Sequence, residues 1–240
     1  MSTAKDVEAA LRALADEERA ATMRRYFKTG PGEYGHGDRM LGVAVPQQRA
    51  VARRFRDLSM VDALRLLKSP WHEVRLTALF LLVHLFDKGD AARRRAVFDG
   101  YIESLAHVDS WDLVDSSAPY IVGRFTAEDP MPLLRRLVKS KSLWERRVAA
   151  VSTFHHLSRG ASKPTLFVAK SLLHDREDLI HKATGWMLRE LGDRVDMGAL
   201  RAFLDEHAAT MPRTMLRYAL EKMNARDKAR YMAARRKTRA

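Results

Sequence analysis

Apolar residues recur three and four positions apart along almost the whole chain. Clear examples occur in residues 61–67, 133–137 and 200–204. This spacing places apolar side chains on one face of an α-helix, whereas the alternation typical of β-strands is nearly missing from the sequence. Short interruptions containing Gly, Pro, Ser or Asp divide the periodic stretches into helices of roughly 10 to 18 residues. The pattern therefore predicts an all-α protein whose helices follow one another through short connections.

Five short segments that contain small residues repeat in one register. Their first residues, called the register residues below, are Arg75, Asp115, Arg147, Lys182 and Arg217, at spacings of 40, 32, 35 and 35 residues. Such spacings are typical of two-helix units of the HEAT or armadillo type, in which small residues let neighbouring helices approach closely. We therefore predict an α-solenoid of HEAT-like helix pairs, with a single domain at residues 1–234 and a basic tail at 235–240.

The charge pattern indicates a polyanionic partner. The chain has 43 Lys and Arg against 30 Asp and Glu, a formal net charge of +13. Ten basic and two acidic residues lie within residues 212–240. Because four register residues are cations, the sequence predicts a basic concave face that suits duplex nucleic acid. An arginine-rich composition can also reflect the base composition of a genome, so charge alone leaves both interpretations open.

Composition also excludes several classes of protein. The chain has no cysteine, which rules out disulfide frameworks and thiolate chemistry. It has no apolar run long enough to cross a bilayer and no signal-peptide core near Met1, so we expect a cytoplasmic protein without a membrane partner. The histidines lack the spacing of a metal site, and no metal or cofactor is predicted.

Asp115 is the one acid among the register residues. Trp111 lies one helical turn before it, and Trp186 lies one turn after Lys182, so two indoles and a carboxylate are expected on the concave face. Indole faces attract cations, and a fixed carboxylate stabilises developing positive charge and orients water. In a basic cradle this set suits hydrolysis of an N-glycosidic bond through an oxocarbenium-like state. The alternative is an internal ion pair between Asp115 and Arg147.

The neighbouring residues are interpreted as structural. Asp112 falls in the first turn of the predicted helix, where a carboxylate suits the helix dipole and the cap. Trp71 and Trp144 are assigned to the core. Because no second carboxylate is placed as a general acid, the leaving base must already be cationic, as an N-alkylated purine is.

Several stretches of the sequence resemble the AlkD-like DNA alkylation repair enzymes, which are glycosylases built from HEAT-like repeats. The stretches span nearly the whole chain and cover residues 26–35, 41–43, 111–115, 143–147, 179–190 and 212–218. The resemblance implies that Asp115 is the catalytic carboxylate and that Trp111, Trp186 and Tyr26 contact the lesion. It also implies a DNA contact by Arg147 and removal of N3- and N7-alkylated purines without a deep base-binding pocket.

The sequence as a whole predicts a monomeric, monofunctional DNA glycosylase that acts on double-stranded DNA with alkylated purines. An abasic site is the expected product, since no lysine is placed for Schiff-base chemistry. Lys182, Arg189 and Arg217 join Arg147 as predicted phosphate ligands, and the glycine-rich residues 29–45 form a predicted flexible loop whose contact with DNA is a hypothesis. The alternatives are a non-enzymatic DNA-structure binder of the same family and a protein-interaction scaffold. In the cell, we expect the protein in the cytoplasm and on the nucleoid when it acts on DNA.

Overall fold

A computed structural model of the chain describes residues 2–234. Within these residues the chain forms fourteen α-helices and no β-strand, which confirms the all-α prediction. The predicted basic tail at residues 235–240 lies outside the described residues. None of the helices in the described part is both long enough and apolar enough to span a bilayer.

The helices cluster into two compact units, the first of which ends at Ser117. Its helices are α1 (Ala4–Arg12), α2 (Glu17–Tyr26), α3 (Val45–Arg54), α4 (Met60–Leu66), α5 (His72–Lys88), α6 (Ala91–Glu103) and α7 (Trp111–Asp115). The centre of this unit is α5, which packs against α1, α3, α4, α6 and α7. Most of its side chains are buried, including polar ones close to its N-terminus. This buried N-terminal end is the part of α5 that lies nearest the candidate site.

The second unit begins at Ala118 with a π-helical turn, Pro119–Gly123. It continues with α8 (Met131–Leu137), α9 (Leu143–Ser158), α10 (Lys163–Ser171), α11 (Asp178–Arg194), α12 (Met197–His207), α13 (Arg213–Ala219) and α14 (Ala225–Met232). Helix α11 packs against α9, α10, α12 and α13. Leu188, Leu191, Leu204 and Leu216 are among the fully or almost fully buried residues of its core. The single domain predicted for residues 1–234 stays a prediction.

The repeat found in the sequence corresponds to equivalent places in alternate helices. Arg75 is the fourth residue of α5, and the fifth residues of α7, α9, α11 and α13 are Asp115, Arg147, Lys182 and Arg217. The small residues of the repeat permit close helix contacts, since a Cβ on Gly185 would lie 2.5 Å from the carbonyl oxygen of Met215. The basic concave face stays a prediction.

The assignment of Trp71 and Trp144 to the core is wrong, because both side chains are half-buried. Trp71 immediately precedes α5, and the guanidinium carbon of Arg12 lies 5.0 Å from the centroid of its ring. Trp144 is the second residue of α9. Both indoles lie at N-terminal ends of helices, Trp71 just before α5 and Trp144 in the first turn of α9.

Candidate active site

The acid and the indole singled out by the sequence lie on one short helix, α7. Trp111 is its first residue and Asp115 its last, so the two side chains project from the same face. Pro119 has no N–H group, and the α-helical bonding pattern stops before it. A π-helical turn follows, in which the Gly123 N–H donates to the Ala118 carbonyl over 2.9 Å. Such turns are frequent at functional sites.

Asp115 lies near a buried pair of hydroxyl groups. Tyr101 is completely buried, and its hydroxyl oxygen is 2.9 Å from Oγ of Ser117, which donates to the Leu113 carbonyl over 2.6 Å. Burial raises the pKa of Tyr101; the hydrogen bond with Ser117 lowers it, and the charge of Asp115 raises it further. Asp115 itself is half-buried, so its charge is only partly screened by solvent.

Three aromatic rings form a cluster beside α7, called the aromatic cluster below. The indole of Trp111 is stacked on Phe27, with ring centroids 5.4 Å apart and an interplanar angle of 10°. Tyr26 packs its edge against Trp111, with centroids 6.0 Å apart, and 65% of Tyr26 is exposed. The structure thus brings together the predicted lesion contacts Tyr26 and Trp111. Phe27 was not singled out from the sequence, although its position next to Tyr26 at the end of α2 was the available signal.

A charged cluster, called the His72 network below, lies against the aromatic cluster. The His72 ring is 4.7 Å from the ring of Phe27. Its Nδ1 atom is 2.7 Å from Oδ2 of Asp38, and its Nε2 atom is 2.8 Å from Oδ2 of Asp112. Arg75 donates from Nη2 to Asp38 and to Asp109, over 3.0 Å in each case. The network therefore joins α5, α7 and residues 38 and 109 of the connecting segments.

The charges within this network shift the pKa values of His72 and Asp38 in opposite directions. Burial alone lowers the pKa of His72, but the charges and hydrogen bonds of Asp112 and Asp38 outweigh it and raise the pKa to about 10. Burial opposes ionisation of Asp38, but His72 and Arg75 outweigh that effect and lower its pKa. Asp112 thus has a structural role, as the sequence predicted, but as an ion-pair partner of His72.

The second unit holds the other predicted indole, Trp186, in a polar setting. Its Nε1 donates to Oε1 of Glu190 over 3.1 Å, and its ring lies 6.1 Å from that of Phe154. Glu190 is buried and also forms ion pairs with Arg189 and Arg194. Arg189 additionally pairs with Glu221. The guanidinium of Arg189 thus already pairs with two carboxylates. Its contact with a DNA phosphate stays a prediction.

The remaining predicted cations differ in exposure. Arg147 is buried at 5% exposure, and its Nη1 donates to the Leu179 carbonyl over 2.7 Å. Lys182 is half-buried, and its Nζ is 2.9 Å from Oδ2 of Asp178. Arg217 is exposed and forms no ion pair within residues 2–234.

The register residue Arg75 does not supply a free cation. It is buried, and its charge is matched by Asp38 and Asp109. A polyanion therefore gains little from it. The expectation that Arg75 adds to a basic binding surface is wrong, because carboxylates distant in sequence fold against it.

The glycine-rich segment at residues 29–45 is anchored at its C-terminal end. The fully buried carboxylate of Glu73 accepts the N–H groups of Leu41 (2.9 Å), Gly42 (2.8 Å) and Val43 (3.2 Å). The His72 N–H donates to the Arg39 carbonyl over 2.8 Å. These bonds fix the segment against the start of α5, whereas the sequence predicted a flexible loop. The hypothesis that this segment contacts DNA stays open.

The described side chains offer no cluster of three or more His, Asp or Glu residues that could bind a metal ion. At α7 the structure places a half-buried carboxylate next to partly exposed aromatic rings. Such an arrangement suits a cationic ligand or a developing cation.

Comparisons with known proteins agree with this fold. The model of a family described as DNA alkylation repair enzyme matches residues 7–223 of the chain. Among solved structures, the chain is similar to one described as a predicted DNA alkylation repair enzyme from Enterococcus faecalis, with a TM-score of 0.67 and 16% sequence identity. The similarity covers 88% of this chain and 97% of that chain, and at this identity it supports the fold alone. No curated protein matches the sequence significantly.

Proposed function

This chain belongs to the family of DNA alkylation repair enzymes, and on that premise we propose that it is a monofunctional DNA glycosylase. The proposed reaction is hydrolysis of the N-glycosidic bond of cationic N3- or N7-alkylated purines in duplex DNA. The products are the free alkylated base and an abasic site.

The observation that carries the proposal is the pairing of Asp115 with Trp111 on α7, beside the exposed ring of Tyr26. When the bond from C1′ to the base breaks, positive charge develops on the sugar. A half-buried carboxylate stabilises that charge and orients the water molecule that adds to C1′. The proton that this water loses is accepted by the carboxylate and passes to solvent. The aromatic faces attract the cationic lesion before the bond breaks.

The leaving base needs no protonation in this scheme. The other carboxylates near α7, those of Asp38, Asp109 and Asp112, are bound to His72 or Arg75. Their contacts hold them against the side chains of α5, and none of them is proposed to contact the leaving base. An N3- or N7-alkylated purine already carries the positive charge that makes it a good leaving group, and it departs as a neutral base. The proposed specificity for cationic lesions follows from this restriction.

In the proposal, the second unit supplies further contacts with the DNA. Trp186 would contact the lesion with the face of its indole, which Glu190 orients through Nε1. Arg147, Lys182 and Arg217 would bind phosphate groups. Arg217 is the strongest of these candidates, because it is exposed and a guanidinium can bind a phosphate through two hydrogen bonds.

Base release from methylated DNA tests the proposed function. The purified protein is incubated with a duplex that contains a single N7-methylguanine, and free base and strand length are measured separately. We expect free N7-methylguanine, with strands that stay intact until alkali or heat cleaves the abasic sites. Duplex binding without base release would contradict the proposal and favour the DNA-structure binder, whereas the absence of both would favour the protein-interaction scaffold. Strand cleavage without alkali would contradict the monofunctional assignment.

A further inference from the structure

The His72 ring can donate a hydrogen bond to each of its two carboxylate partners only as an imidazolium. Both of its nitrogens lie within 2.8 Å of a carboxylate oxygen, one from Asp38 and one from Asp112. An ionised carboxylate only accepts hydrogen bonds, so both ring nitrogens must donate. A neutral ring would leave a lone pair facing one of the carboxylates. The ring is therefore a cation, 1% exposed, between two anions.

This cation connects three separate parts of the first unit. His72 is the first residue of α5, Asp112 is in the first turn of α7, and Asp38 belongs to the glycine-rich segment. Two routes lead from His72 to Trp111. One is the backbone, because Trp111 directly precedes Asp112, and the other is the ring of Phe27, which lies between His72 and Trp111.

The network is an inefficient way to stabilise a fold. Three of its buried polar atoms find no hydrogen-bond partner among residues 2–234; they are Asp38 Oδ1, Asp112 Oδ1 and Arg75 Nε. A buried ionic network that is only partly satisfied costs desolvation energy that its ion pairs need not recover. What such a network does provide is a single defined geometry for the segments it joins. In this chain, one of those segments is the helix that carries the candidate catalytic acid.

We propose that His72 is a positioning residue for base release, which fixes the start of α7 and the face of Trp111 so that Trp111 and Asp115 meet the lesion together. The proposal rests on the proposed glycosylase function. His72 itself does not touch the reacting atoms and acts through Asp112 and Phe27. Its loss should therefore lower the rate of the chemical step more than the affinity for DNA.

The first test does not depend on activity. His72→Gln removes the charge and one of the two donors, and His84→Gln is the matched control, a half-buried histidine on the same helix. Hydrogen exchange of the backbone amides is measured for both variants. We expect faster exchange in α7 of H72Q alone. Unchanged exchange in α7 would overturn the proposal. Equal acceleration in α1, α4 and α6 would overturn it as well, because it would show that His72 stabilises the whole unit and does not specifically fix α7.

The second test separates positioning from a direct catalytic role. Single-turnover base release and duplex affinity are measured for wild type, H72Q, W111A and the double variant. Because His72 is proposed to act through Trp111, H72Q should lose at most the roughly 2- to 30-fold in rate expected for W111A, while its affinity for the duplex stays close to that of wild type. Because His72 acts through Trp111, H72Q should slow the reaction far less when Trp111 is already alanine.

The outcomes distinguish this inference from the proposed function. If the wild type releases no base, the glycosylase assignment fails. If the wild type is active and H72Q matches it, the positioning role alone is overturned. A full and independent loss of rate in the double variant would likewise overturn it, because it would show that His72 does not act through Trp111.

Discussion

The environment of Trp111 explains how the candidate site would bind a cationic base. One face of its ring is covered by Phe27, and the edge of Tyr26 borders it. The indole thereby has a fixed plane without being fully buried. An aromatic ring held in this way can attract a cation without first losing conformational freedom.

Substitutions of Trp111 should lower the rate of base release to different extents, depending on how much of the aromatic face they remove. Trp111→Phe keeps a ring stacked on Phe27, whereas Trp111→Ala removes the aromatic face. Cation–π attraction of about 0.5–2 kcal/mol corresponds to a loss of roughly 2- to 30-fold for the alanine variant, and the phenylalanine variant should lose less. Single-turnover release from N7-methylguanine duplex measures both. Equal rates for all three proteins would show that the indole does not contribute.

His72 should make the stability of the fold depend on pH. Its pKa is about 10 in the folded chain, against 6.5 for an ordinary histidine, so the folded state holds the proton more tightly. The resulting stabilisation is complete below about pH 6.5 and is lost as the pH rises through about 10. The groups that face the ring are Asp38 and Asp112, with Arg75 and Asp109 behind them.

Thermal unfolding of wild type and H72Q across this pH range checks the prediction. The difference in Tm between the two proteins should be largest at pH 6 and should shrink steadily towards pH 10. His84→Gln should show no such trend. A difference that stays constant with pH would mean that His72 is not protonated in the folded protein.

At the scale of secondary-structure elements, the contacts between the glycine-rich segment and the start of α5 fix the position of the candidate site. Gly42 has a φ of +81°, and a Cβ at this position would overlap the carbonyl oxygen of Asp16. The same glycine donates its N–H to the buried carboxylate of Glu73. Backbone conformation and close packing thus both require glycine here.

Alanine substitutions at two glycines separate backbone strain from crowding. Gly32 also has a positive φ, of 78°, but a Cβ there would meet nothing within 4 Å. Gly32→Ala should lower the free energy of unfolding by about 1–2 kcal/mol, the cost of a left-handed backbone. Gly42→Ala should cost about 2–5 kcal/mol, because overpacking adds to that strain. Urea unfolding measures both, and equal costs would contradict the packing described for Gly42.

Sequence patterns predicted the helices and their register because these depend on local periodicity and capping. The fifth-residue positions of Asp115, Arg147, Lys182 and Arg217 follow from that periodicity. The His72 network could not be predicted in this way. Asp38 and His72 are separated by 34 residues, His72 and Asp112 by 40, and the three meet only through tertiary packing. Arg75 was misassigned for the same reason, as its neutralising partners are distant in sequence.

At the scale of the whole molecule, the net charge of +13 overstates the number of cations available to a polyanion. Several arginines have little exposed surface and form internal ion pairs, including Arg75, Arg146 and Arg189. Exposed cations such as Arg217 are therefore the better candidates for phosphate contacts. Specific phosphate contacts and general attraction by net charge can be told apart by salt dependence.

Arg217→Ala should weaken duplex binding and reduce its salt dependence. Each phosphate contact contributes about −0.9 to the slope of log affinity against log salt concentration, so the slope should become shallower by about one. Arg230→Ala is the matched control, since it removes the same charge from an arginine that is paired with Asp205. Fluorescence anisotropy over a salt series measures both slopes. An equal change in the two variants would attribute the effect to net charge.

The charge of Asp115 is tested most directly by Asp115→Asn, which keeps the shape of the side chain and removes its charge. Single-turnover release of N7-methylguanine and duplex affinity are measured side by side, with Asp129→Asn, an exposed acid, as the control. Loss of a charge that stabilises the transition state predicts a fall in rate of about 100-fold or more, with duplex affinity retained. Release by D115N at the wild-type rate would contradict the catalytic role of Asp115.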